Sequence, residues 1–537
     1  MKKPVDQIFR DTVEDQLKIL KTKSPLPSTD DITKQMLHAL TLAAEADNLN
    51  RPKTQKLKMP ETLNPILIGD IILNLYPVCR ISFTDGGSNG VLAMYCEDGD
   101  KAGLYDISDE AIERLIQKFN YLIRKREMDE VIHFLKLNAP VHKKTLDPDL
   151  IAVNNGIFNY RTKQLLPFSP EYVFTSKTHV DYNPAASNMV IHNPNDGMDW
   201  DVVSWMRSLS DDPQIVALLW EIIGAVVRPN VRWGKAVLLY SPKGNNGKGT
   251  LCRLMRNLVG AGSWMSIPIA DCDKDYFKAE LLHMQAVITD ENPVGQYIER
   301  SDTWKSMITQ DAISTNRKYK DAVTFTFCGL VVQCINDLPR SRDVSGSFYR
   351  RLLTVPLEKC FTGVEREYIK DDYLGRKEVL EYVLKCALES NYYELREPEA
   401  CLKLRDDYME HCNPVLQFWN EFRDEFVWDF IPYQYLYDLY CVWFNRNNPK
   451  GMTLSRNTFT KELINVVSSK FYGWNVIDPK TQVRPCEMMS KPEPISMEYD
   501  LTNWMQKDAR TSRLDSSWVP ILKDKYYGGL KRRLKFA

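Results

Sequence analysis

The spacing of apolar residues predicts a chain of alternating helices and strands. The segment 30–46 has a helical pattern, and short β-rich stretches occupy about 100–190, where Asn154-Asn155-Gly156 supplies the turn chemistry. A stripe of Leu, Ile, Trp and Val predicts helix over 204–227, with a helix start at Asp211-Asp212-Pro213. Residues 230–360 alternate apolar strands with helical segments, which is typical of an α/β unit.

The composition is that of a globular protein. The 537 residues include 70 Lys and Arg against 71 Asp and Glu, a net charge of -1, with 44% hydrophobic and 26% charged residues. This length suggests roughly three or four folding units and excludes disorder, collagen-like repeats and a small disulfide-bonded domain. The balanced charge also excludes a uniformly basic nucleic-acid coat, but it is compatible with local basic surfaces.

Neither the cysteines nor the N-terminus indicates an exported protein. The 12 cysteines are scattered and none falls in a C-x-x-C pair, so we expect reduced thiols without disulfides or a zinc site. No apolar run reaches the roughly 18 residues that a membrane span needs, and the first residues lack the apolar stretch of a signal peptide. We therefore expect a cytoplasmic protein.

A glycine-rich loop joins a predicted strand to a predicted helix. The strand 235–240 leads into S-P-K-G-N-N-G-K-G-T at 241–250, and the helix follows. This is the context of a P-loop, in which backbone N–H groups and a lysine, here Lys248, bind nucleotide phosphates. The residues expected to bind the nucleotide are Pro242, Lys243, Gly244, Asn245, Asn246, Gly247, Lys248, Gly249, Thr250 and Leu251.

The loop departs from the usual P-loop pattern at two positions. Pro242 occupies the first glycine position, and Gly249 follows the lysine where Ser or Thr is usual. The hydroxyl group that binds Mg²⁺ is therefore expected from Thr250, one position later, or the ion relies more on water. Taken alone, a glycine-rich polar turn before a helix can also be only a turn.

Two further strand ends supply polar side chains. The apolar strand 286–288 ends in Thr289-Asp290-Glu291, and the strand 327–335 ends at Asn336. With the acidic strand placed beside the P-loop strand, we expect Asp290 to hold Mg²⁺ through water, Glu291 to polarise the attacking water and Asn336 to orient it. The alternatives are a solvated acidic loop and an Asx-turn at Asn336.

Arg350 and Arg351 precede another predicted strand. Arginine neutralises the charge that spreads over a transferring phosphoryl group, and a neighbouring subunit often donates it. Side chains alternate along a strand, so we expect only one of the two to face a neighbour's ATP, and we favour Arg351. Two such arginines are usually only solvated, but loop, acidic pair, Asn and paired Arg follow in this order within about 110 residues, which favours nucleotide hydrolysis.

These motifs resemble those of superfamily 3 helicases, specifically the poxvirus D5-like branch of phage, plasmid and mobile-element replication proteins. G-N-N-G-K-G-T is similar to the Walker A motif of that branch, including the glycine after the lysine, and V-I-T-D-E-N to its Walker B motif. V-V-Q-C-I-N-D-L-P resembles motif C with its sensor asparagine, and F-Y-R-R-L-L-T-V-P-L resembles the arginine-finger strand. The resemblance implies a hexameric ring that moves 3′ to 5′ on single-stranded DNA.

A stretch between Walker B and motif C resembles the pore hairpin of the same family. It contains Asp302-Thr303-Trp304-Lys305, then 309–314 and the basic tip 316–320. The resemblance implies a β-hairpin that grips DNA in the central pore, and cations beside an aromatic ring suit a nucleic-acid strand. The alternative is a solvated tip. The DNA-binding residues expected here are Arg317, Lys318, Tyr319 and Lys320.

Upstream segments extend the resemblance. I-A-V-N-N-G-I-F-N-Y and the residues after it are similar to the D5-type N-terminal domain, and 204–227 is similar to the helical collar. Only about 95 residues precede the shared region, too few for the primase domain of many relatives, so we expect primase activity from a partner. Asp199-Trp200-Asp201 fits a D-x-D pattern, but we assign it no metal.

The C-terminal residues predict a separate unit. Aromatic residues between 418 and 444 form an apolar helical stripe, which we expect in a core. Ser455 can cap a following helix that carries Arg456 and Lys461, and the tail is basic. Such a helix suits insertion into a major groove, so we interpret this unit as a winged helix that contacts DNA. The alternative is a packing or docking domain.

Together these observations predict a multidomain α/β fold. We expect a central AAA+-like P-loop NTPase core, a helical collar, an α+β N-terminal domain and a C-terminal winged helix. The expected boundaries are 1–95 for an accessory region, 96–200 for the D5-type N-terminal domain, 201–229 for the collar, 230–400 for the ATPase core and 401–537 for the C-terminal domain.

The function expected from this organisation is that of an ATP-dependent hexameric replicative DNA helicase of a mobile element, with ATP and Mg²⁺ as cofactors. Its expected partners are single-stranded and forked DNA, origin duplex, further copies of the chain and a separate primase or polymerase. The alternative hypothesis is an ATP-switched initiator that binds an origin without sustained unwinding. A small-molecule P-loop kinase fits poorly because it explains neither the basic hairpin nor the basic tail.

Overall fold

The computed structural model describes residues 5–49, 51–83, 90–295, 297–298, 300–315, 322–341, 346–449, 451–469, 473–478, 480–504 and 525–533. The chain contains two compact units, residues 1–402 and 403–537. Within the described ranges, no helix combines the length and the apolar character that crossing a bilayer requires.

Helices and a four-stranded sheet, with strand order β3-β2-β1-β4, form the N-terminal part of the first unit. The helical pattern predicted over 30–46 is confirmed by α2, which begins after Ser28. The Ser28 hydroxyl caps this helix by accepting a hydrogen bond from the Asp31 N–H at 3.2 Å. The elements are α1 Val5–Lys21, α2 Thr29–Asn48, α3 Pro65–Leu75, β1 Val78–Ser82, β2 Val91–Tyr95, β3 Tyr105–Asp106, α4 Asp109–Phe119, α5 Lys125–Asn138 and β4 Val141–Lys143.

Short strands and two helices follow. The predicted turn at Asn154-Asn155-Gly156 joins β5 to β6 in an antiparallel hairpin. The helix predicted as one segment over 204–227 is two helices, because Pro213 cannot continue a helix and instead begins α7 after the Asp212 cap. The elements are β5 Leu150–Val153, β6 Gly156–Asn159, β7 Gln164–Leu166, β8 Ile191–His192, β9 Asp199–Trp200, α6 Val202–Ser208 and α7 Pro213–Val226.

A parallel sheet of five strands lies at the centre of the first unit. The predicted alternation of apolar strands and helices over 230–360 is confirmed. The elements are β10 Ala236–Tyr240, α8 Lys248–Val259, β11 Trp264–Met265, α9 Asp275–Glu280, β12 Ala286–Thr289, β13 Tyr297–Ile298, α10 Asp302–Thr309, β14 Ala312–Thr315, β15 Val323–Thr326, β16 Leu330–Ile335, β17 Arg340–Ser341, α11 Gly346–Tyr349, β18 Leu352–Pro356, α12 Glu367–Asp371, α13 Lys377–Glu389 and α14 Glu399–Cys412.

The strand order of this sheet is β11-β12-β16-β10-β18. The prediction that the acidic strand β12 lies beside β10, the strand that leads into the glycine-rich loop, is therefore wrong, because β16 pairs with both and separates them. All pairings in the sheet are parallel, so the carboxyl ends of β10, β12 and β16 lie at one edge. Polar residues that follow these strands meet there, which is where ligands bind in open parallel sheets.

The central strands are apolar because the sheet is covered on both faces. All six residues of β16 are buried, and the inner side of α8 packs onto the sheet through Leu251, Met255 and Leu258. Ile222 of α7 and Val383 of α13 belong to the same core cluster. The sheet therefore holds its strand ends rigidly with respect to α8.

The second unit combines aromatic-rich helices with an antiparallel sheet of order β19-β21-β20. The aromatic stripe predicted in a core is buried, with Phe418, Trp419, Tyr440 and Trp443 in one cluster. The elements are α15 Pro414–Phe422, β19 Phe430–Pro432, α16 Tyr433–Asn447, α17 Arg456–Ser469, β20 Trp474–Val476, α18 Pro494–Glu498 and β21 Gly529–Arg532.

Candidate functional site

The glycine-rich loop turns sharply from β10 into α8. Gly247, the residue before the helix, has φ +83° and ψ −1°, a left-handed conformation that glycine adopts without strain. A Cβ atom at this position would lie 2.7 Å from Cδ2 of Leu209, so the close approach of that side chain also requires glycine. Asn245 has a positive φ of 53° as well. The loop therefore has a fixed shape at the N-terminus of α8.

Hydrogen bonds from neighbouring segments hold this shape. The Asn246 side chain donates from Nδ2 to the carbonyl of Lys243 at 2.6 Å. Phe361, which lies beyond β18, donates its backbone N–H to the Asn245 carbonyl at 2.7 Å, and the Asn245 amide donates to Glu365 at 3.0 Å. The loop is thus connected to the chain that follows β18, the edge strand paired with β10.

Lys248 directs its ammonium group across the loop. Its Nζ donates to the carbonyl of Ser241 at 3.2 Å and to Oδ1 of Asn336 at 2.7 Å. Lys248 is only 8% exposed, and this burial lowers the pKa of its ammonium group. Because an ammonium group has three hydrogens, these two acceptors leave one donor for an oxygen in the cavity above.

Asp290 follows β12 and is held by an arginine that the motif analysis did not select. Arg256 of α8 donates from Nη1 to Oδ2 of Asp290 at 2.6 Å and from Nη2 to the Ile288 carbonyl at 2.9 Å. Oδ1 of Asp290 is buried and has no hydrogen-bond partner among the residues that the structure describes. Glu291, the next residue, is exposed. Asp290 therefore has one fixed oxygen and one oxygen free to bind a cation.

A cavity of about 770 Å³ brings most of the predicted site together. The predicted residues that line it are Gly244, Asn245, Asn246, Gly247, Lys248, Gly249, Thr250, Asp290, Glu291 and Asn336. Pro242 and Lys243 are exposed outside this cavity, and Leu251 is buried in the hydrophobic core. The volume lies within the roughly 300–1,000 Å³ of pockets that bind small molecules and cofactors.

The charges in the cavity are mostly acidic. The charged residues that line it are the cations Lys248, Arg366 and Lys370 and the carboxylates Asp199, Asp201, Asp290, Glu291, Glu365 and Glu367. A polyanionic ligand is repelled by this acidic surround unless cations lie against its charged groups. Lys248, Arg366 and Lys370 are therefore the groups of this lining that favour a polyanion.

Lys370 of α12 is a second residue that the motif analysis did not select. A Cβ atom built on Gly249 would have the Lys370 Nζ as its nearest neighbour, at 3.7 Å. The ammonium group thus lies beside the position where a P-loop usually carries a hydroxyl residue. The absence of a side chain at Gly249 gives Lys370 access to the first turn of α8.

The residues available for Mg²⁺ fit that ion. Thr250 lies on the first turn of α8 and lines the same cavity as Asp290, whose buried Oδ1 is unsatisfied within the described ranges. Hydroxyl and carboxylate oxygens are the ligands that Mg²⁺ prefers, with water and phosphate oxygens completing its shell. Asp199 and Asp201 have other partners: Asp199 pairs with His192 at 2.8 Å, and Asp201 accepts the Ser204 N–H at 2.9 Å.

The predicted arginines lie at the other end of the sheet. Arg350 and Arg351 precede β18, so they lie at the amino ends of the parallel strands, where the Ala236 N–H donates to the Arg351 carbonyl at 2.8 Å. Five residues of strand separate the two ends, about 16 Å at 3.3 Å per residue. Arg350 is exposed and Arg351 half-buried, with Nη1 donating to the Ser347 carbonyl at 2.5 Å. Neither arginine reaches the cavity of its own chain.

The hairpin predicted between the acidic pair and Asn336 is present as the antiparallel pair β14 and β15. Ile313 and Phe325 are buried at its base, whereas Ser314 and Thr324 face outward with their hydroxyl oxygens 2.9 Å apart. The tip residues Arg317, Lys318, Tyr319 and Lys320 lie outside the described residues. Their role in DNA binding stays a prediction.

The predicted DNA-facing helix of the second unit is α17. Ser455 precedes it and accepts the Thr458 N–H at 3.3 Å, as expected for a helix cap. Arg456 and Lys461 are exposed, whereas Phe459 is buried in the core of this unit. Both cations are therefore accessible to a ligand, and their contact with DNA stays a prediction.

Three family models match the chain in succession. A model described as D5 N terminal like matches residues 35–209, a family of unknown function, DUF5906, matches 239–351, and a model described as Poxvirus D5 protein-like matches 410–493. The middle match contains the loop, the acidic pair, Asn336 and both arginines. The matches on either side are both to models of D5-like proteins. This chain belongs to the D5-like family of superfamily 3 helicases.

Solved structures match at low identity. The apo A form of the NrS-1 C-terminal region is 14% identical, with a TM-score of 0.40, and the match covers 82% of this chain and 91% of that one. A second A-form structure of that region is 14% identical, with a TM-score of 0.42 and coverage of 82% and 92%. A further apo structure is 12% identical, with a TM-score of 0.38 and coverage of 76% and 87%. No curated protein matches the chain.

Proposed function

We propose that this protein is an ATP-dependent replicative DNA helicase that works as a hexameric ring. The observation that carries the proposal is the contact between Nζ of Lys248 and Oδ1 of Asn336 at 2.7 Å. It joins the first residue of α8 to the residue that follows β16, and both residues line a cavity that also contains the acidic pair. A buried ammonium group with one remaining donor suits the β- and γ-phosphates of a nucleotide.

Six residues of the cavity have a part in the proposed hydrolysis. Lys248 and the backbone N–H groups of the loop bind phosphate oxygens, and Lys370 adds a second cation from α12. Thr250 and Asp290 are suited to hold Mg²⁺, which neutralises phosphate charge when bound. Glu291, exposed at the end of β12, accepts a proton from the attacking water, and Asn336 orients that water.

The position of the arginines supports a ring. Arg350 and Arg351 lie at the opposite end of the sheet from their own cavity, so a catalytic role for either one requires the site of another subunit. Family membership supports a hexamer that moves 3′ to 5′ on single-stranded DNA. The hairpin β14–β15 is then the element that moves with hydrolysis and carries Lys318 and Lys320 along the strand.

The wider assignment has the same basis. We assign an AAA+-like core, a helical collar and a C-terminal winged helix to this chain, with α17 presenting Arg456 and Lys461 to DNA. The protein acts in the cytoplasm on the forked DNA of a mobile element, with a separate primase or polymerase. The parallel order of the central sheet supports the AAA+-like core, and the exposed Arg456 and Lys461 support a contact of α17 with DNA.

Two measurements test the function. ATP turnover is measured with and without single-stranded DNA, together with the native mass, and strand displacement is measured on a forked duplex with ATP. The helicase proposal requires DNA-stimulated turnover, a multimeric mass and displacement of the strand. A monomer without ATP turnover contradicts it.

The exposed cations of α17 favour one alternative, an ATP-switched initiator that binds origin duplex. The Ser455 cap of α17 and its exposed residues Arg456 and Lys461 suit insertion of this helix into a major groove. The same forked-duplex assay separates the two functions. Sequence-specific duplex binding without strand displacement identifies an initiator.

A further inference from the structure

Cys252 and Cys334 lie in contact beneath the loop of the nucleotide cavity. Cys252 lies on α8 and Cys334 near the carboxyl end of β16, and their Sγ atoms are 3.3 Å apart. Both are free thiols, 0% and 2% exposed. The two cysteines are far apart in sequence and meet only because α8 packs on β16.

A carboxylate completes a cluster of three potential metal ligands. One ligand atom from each of Cys252, Asp290 and Cys334 lies within 4.8 Å of the other two. Arg256 occupies Oδ2 of Asp290, whereas the buried Oδ1 has no hydrogen-bond partner among the described residues. A buried carboxylate oxygen without a donor is costly, and a cation relieves that cost.

We propose that these three side chains form a binding site for a thiophilic divalent cation of the zinc class. In a tetrahedral site with metal–sulfur bonds of about 2.3 Å, two sulfurs lie about 3.8 Å apart, so the thiols need to separate only slightly. Asp290 supplies the third ligand and water the fourth. Mg²⁺ prefers oxygen ligands and does not compete for the two sulfurs.

The charges of such a site balance. The two thiols release their protons to solvent as two metal–sulfur bonds form. Two thiolates and one carboxylate then carry three negative charges, which two charges on the metal and one on Arg256 neutralise. Arg256 also orients the ligating carboxylate from behind, as hydrogen-bonded neighbours of metal ligands do. A neutral cluster is compatible with its burial.

Metal binding here has a consequence for ATP hydrolysis, and this consequence alone rests on the proposed function. The thiophilic ion takes the Oδ1 of Asp290 that the proposed mechanism assigns to Mg²⁺. It also tightens the contact between α8, which begins at Lys248, and β16, which Asn336 follows. We therefore expect the ion to inhibit ATP turnover.

Binding is tested without reference to activity. The full chain, reduced with a phosphine and freed of metal, is titrated with Co²⁺ and then with Zn²⁺. We expect one Co²⁺ per chain, with thiolate-to-cobalt charge-transfer absorption and the strong visible bands of tetrahedral cobalt, all lost on addition of Zn²⁺. Cys252→Ala and Cys334→Ala remove this absorption, whereas Cys328→Ala, which removes a buried thiol before β16, retains it.

Turnover is then compared with and without one equivalent of bound Zn²⁺, free ion having been removed before ATP is added. The proposal expects loss of turnover in proportion to bound Zn²⁺, and less loss in Cys334→Ala. If the wild-type protein shows no tetrahedral cobalt spectrum, or binds Co²⁺ only through Cys360 or Cys486, the proposed metal site is wrong. This holds whether or not the protein hydrolyses ATP. If the protein binds Co²⁺ at these residues but does not hydrolyse ATP, the metal site is supported and the proposed function is contradicted.

Discussion

Arg256, which does not line the cavity, holds the carboxylate of Asp290. Its Nη1 lies 2.6 Å from Oδ2, its Nη2 donates to the carbonyl of Ile288, and its guanidinium group lies 4.4 Å from the centre of the Trp264 ring. A residue of α8 therefore determines the direction of a carboxylate that follows β12. The other oxygen, Oδ1, is buried without a hydrogen-bond partner among the described residues, so it is the oxygen available to a cation.

Arg256→Met should reduce both turnover and stability. The change leaves a partly buried carboxylate without its donor, which costs about 1–3 kcal/mol of unfolding free energy. Without its partner, the Asp290 carboxylate can rotate, so we expect kcat to fall more than KM rises. Arg253→Met, an exposed arginine on the same helix, is the matched control. Denaturant unfolding and steady-state kinetics measure both effects, and equal losses in the two variants contradict this role.

Lys248→Ala should abolish ATP turnover and leave the fold intact. Burial already disfavours the charge of this ammonium group, so its removal costs little stability. The exposed Lys243, in the same loop, provides the comparison variant Lys243→Ala, which should retain turnover. Unchanged turnover in Lys248→Ala would show that the loop does not bind the phosphates.

Lys370→Ala should weaken ATP binding. The cavity contains more carboxylates than cations, so loss of this ammonium group raises KM for ATP, by about tenfold for a contact of roughly 1.4 kcal/mol. Lys370→Arg should restore most of the affinity. Lys377→Ala, an exposed lysine on α13, should have no such effect. Equal KM values in the wild type and Lys370→Ala exclude a phosphate contact.

Mixing two inactive variants should restore some ATP turnover. Glu291→Gln removes the proposed base, and Arg351→Ala removes the favoured finger from the opposite end of the sheet. A mixed ring contains interfaces with both groups intact, whereas each pure ring contains none. The experiment is repeated with Arg350→Ala, because Arg350 is the more exposed of the pair. No recovery with either arginine variant argues against a site shared between subunits.

The second unit should lose stability as pH rises towards neutrality. Glu493 is 5% exposed, and burial raises its pKa from 4.5 to about 7, although its Oε2 accepts the N–H groups of Val427 and Trp428. Between these pH values the folded state holds a proton that the unfolded state has lost, so stability falls across this window and levels off above about pH 7.

The loss approaches about 3 kcal/mol by linkage, and hydrogen exchange of residues 414–504 at pH 5 and pH 8 measures it in the full chain. Glu493→Gln, which cannot ionise, should remove this pH dependence. Glu498→Gln, an exposed glutamate on α18, should retain it. If the pH dependence of stability persists in Glu493→Gln, another titratable group causes it.

Local patterns were sufficient to predict the elements that carry the chemistry. The loop between β10 and α8, the acidic end of β12 and the position of Asn336 after β16 each depend on a short run of apolar residues and the polar residue that ends it. The start of α7 at Pro213 follows from the local properties of Asp212 and Pro213. Such features need no knowledge of distant contacts.

Contacts between elements could not be predicted in the same way. The insertion of β16 between β10 and β12 depends on the crossover path, which the apolar pattern does not record. Lys370 reaches Gly249 from a helix beyond the last strand of the sheet. The sequence indicates that Arg256 lies about two helical turns after Lys248 on the same helix. Its contact with Asp290 depends on how α8 packs on the sheet, which the sequence pattern does not show.

The strand β18 connects the two arginines, which in the proposed ring act on a neighbour's ATP, to the loop that binds the chain's own ATP. It begins after Arg351 and ends at Pro356, and Phe361 soon afterwards donates its N–H to the Asn245 carbonyl. A strand that is hydrogen-bonded and packed within a sheet is rigid along its length, so a displacement at one end also displaces the other. In the proposed ring, hydrolysis of ATP in one subunit therefore changes the probability of hydrolysis in the next. We expect the subunits to hydrolyse ATP in sequence around the ring rather than at random.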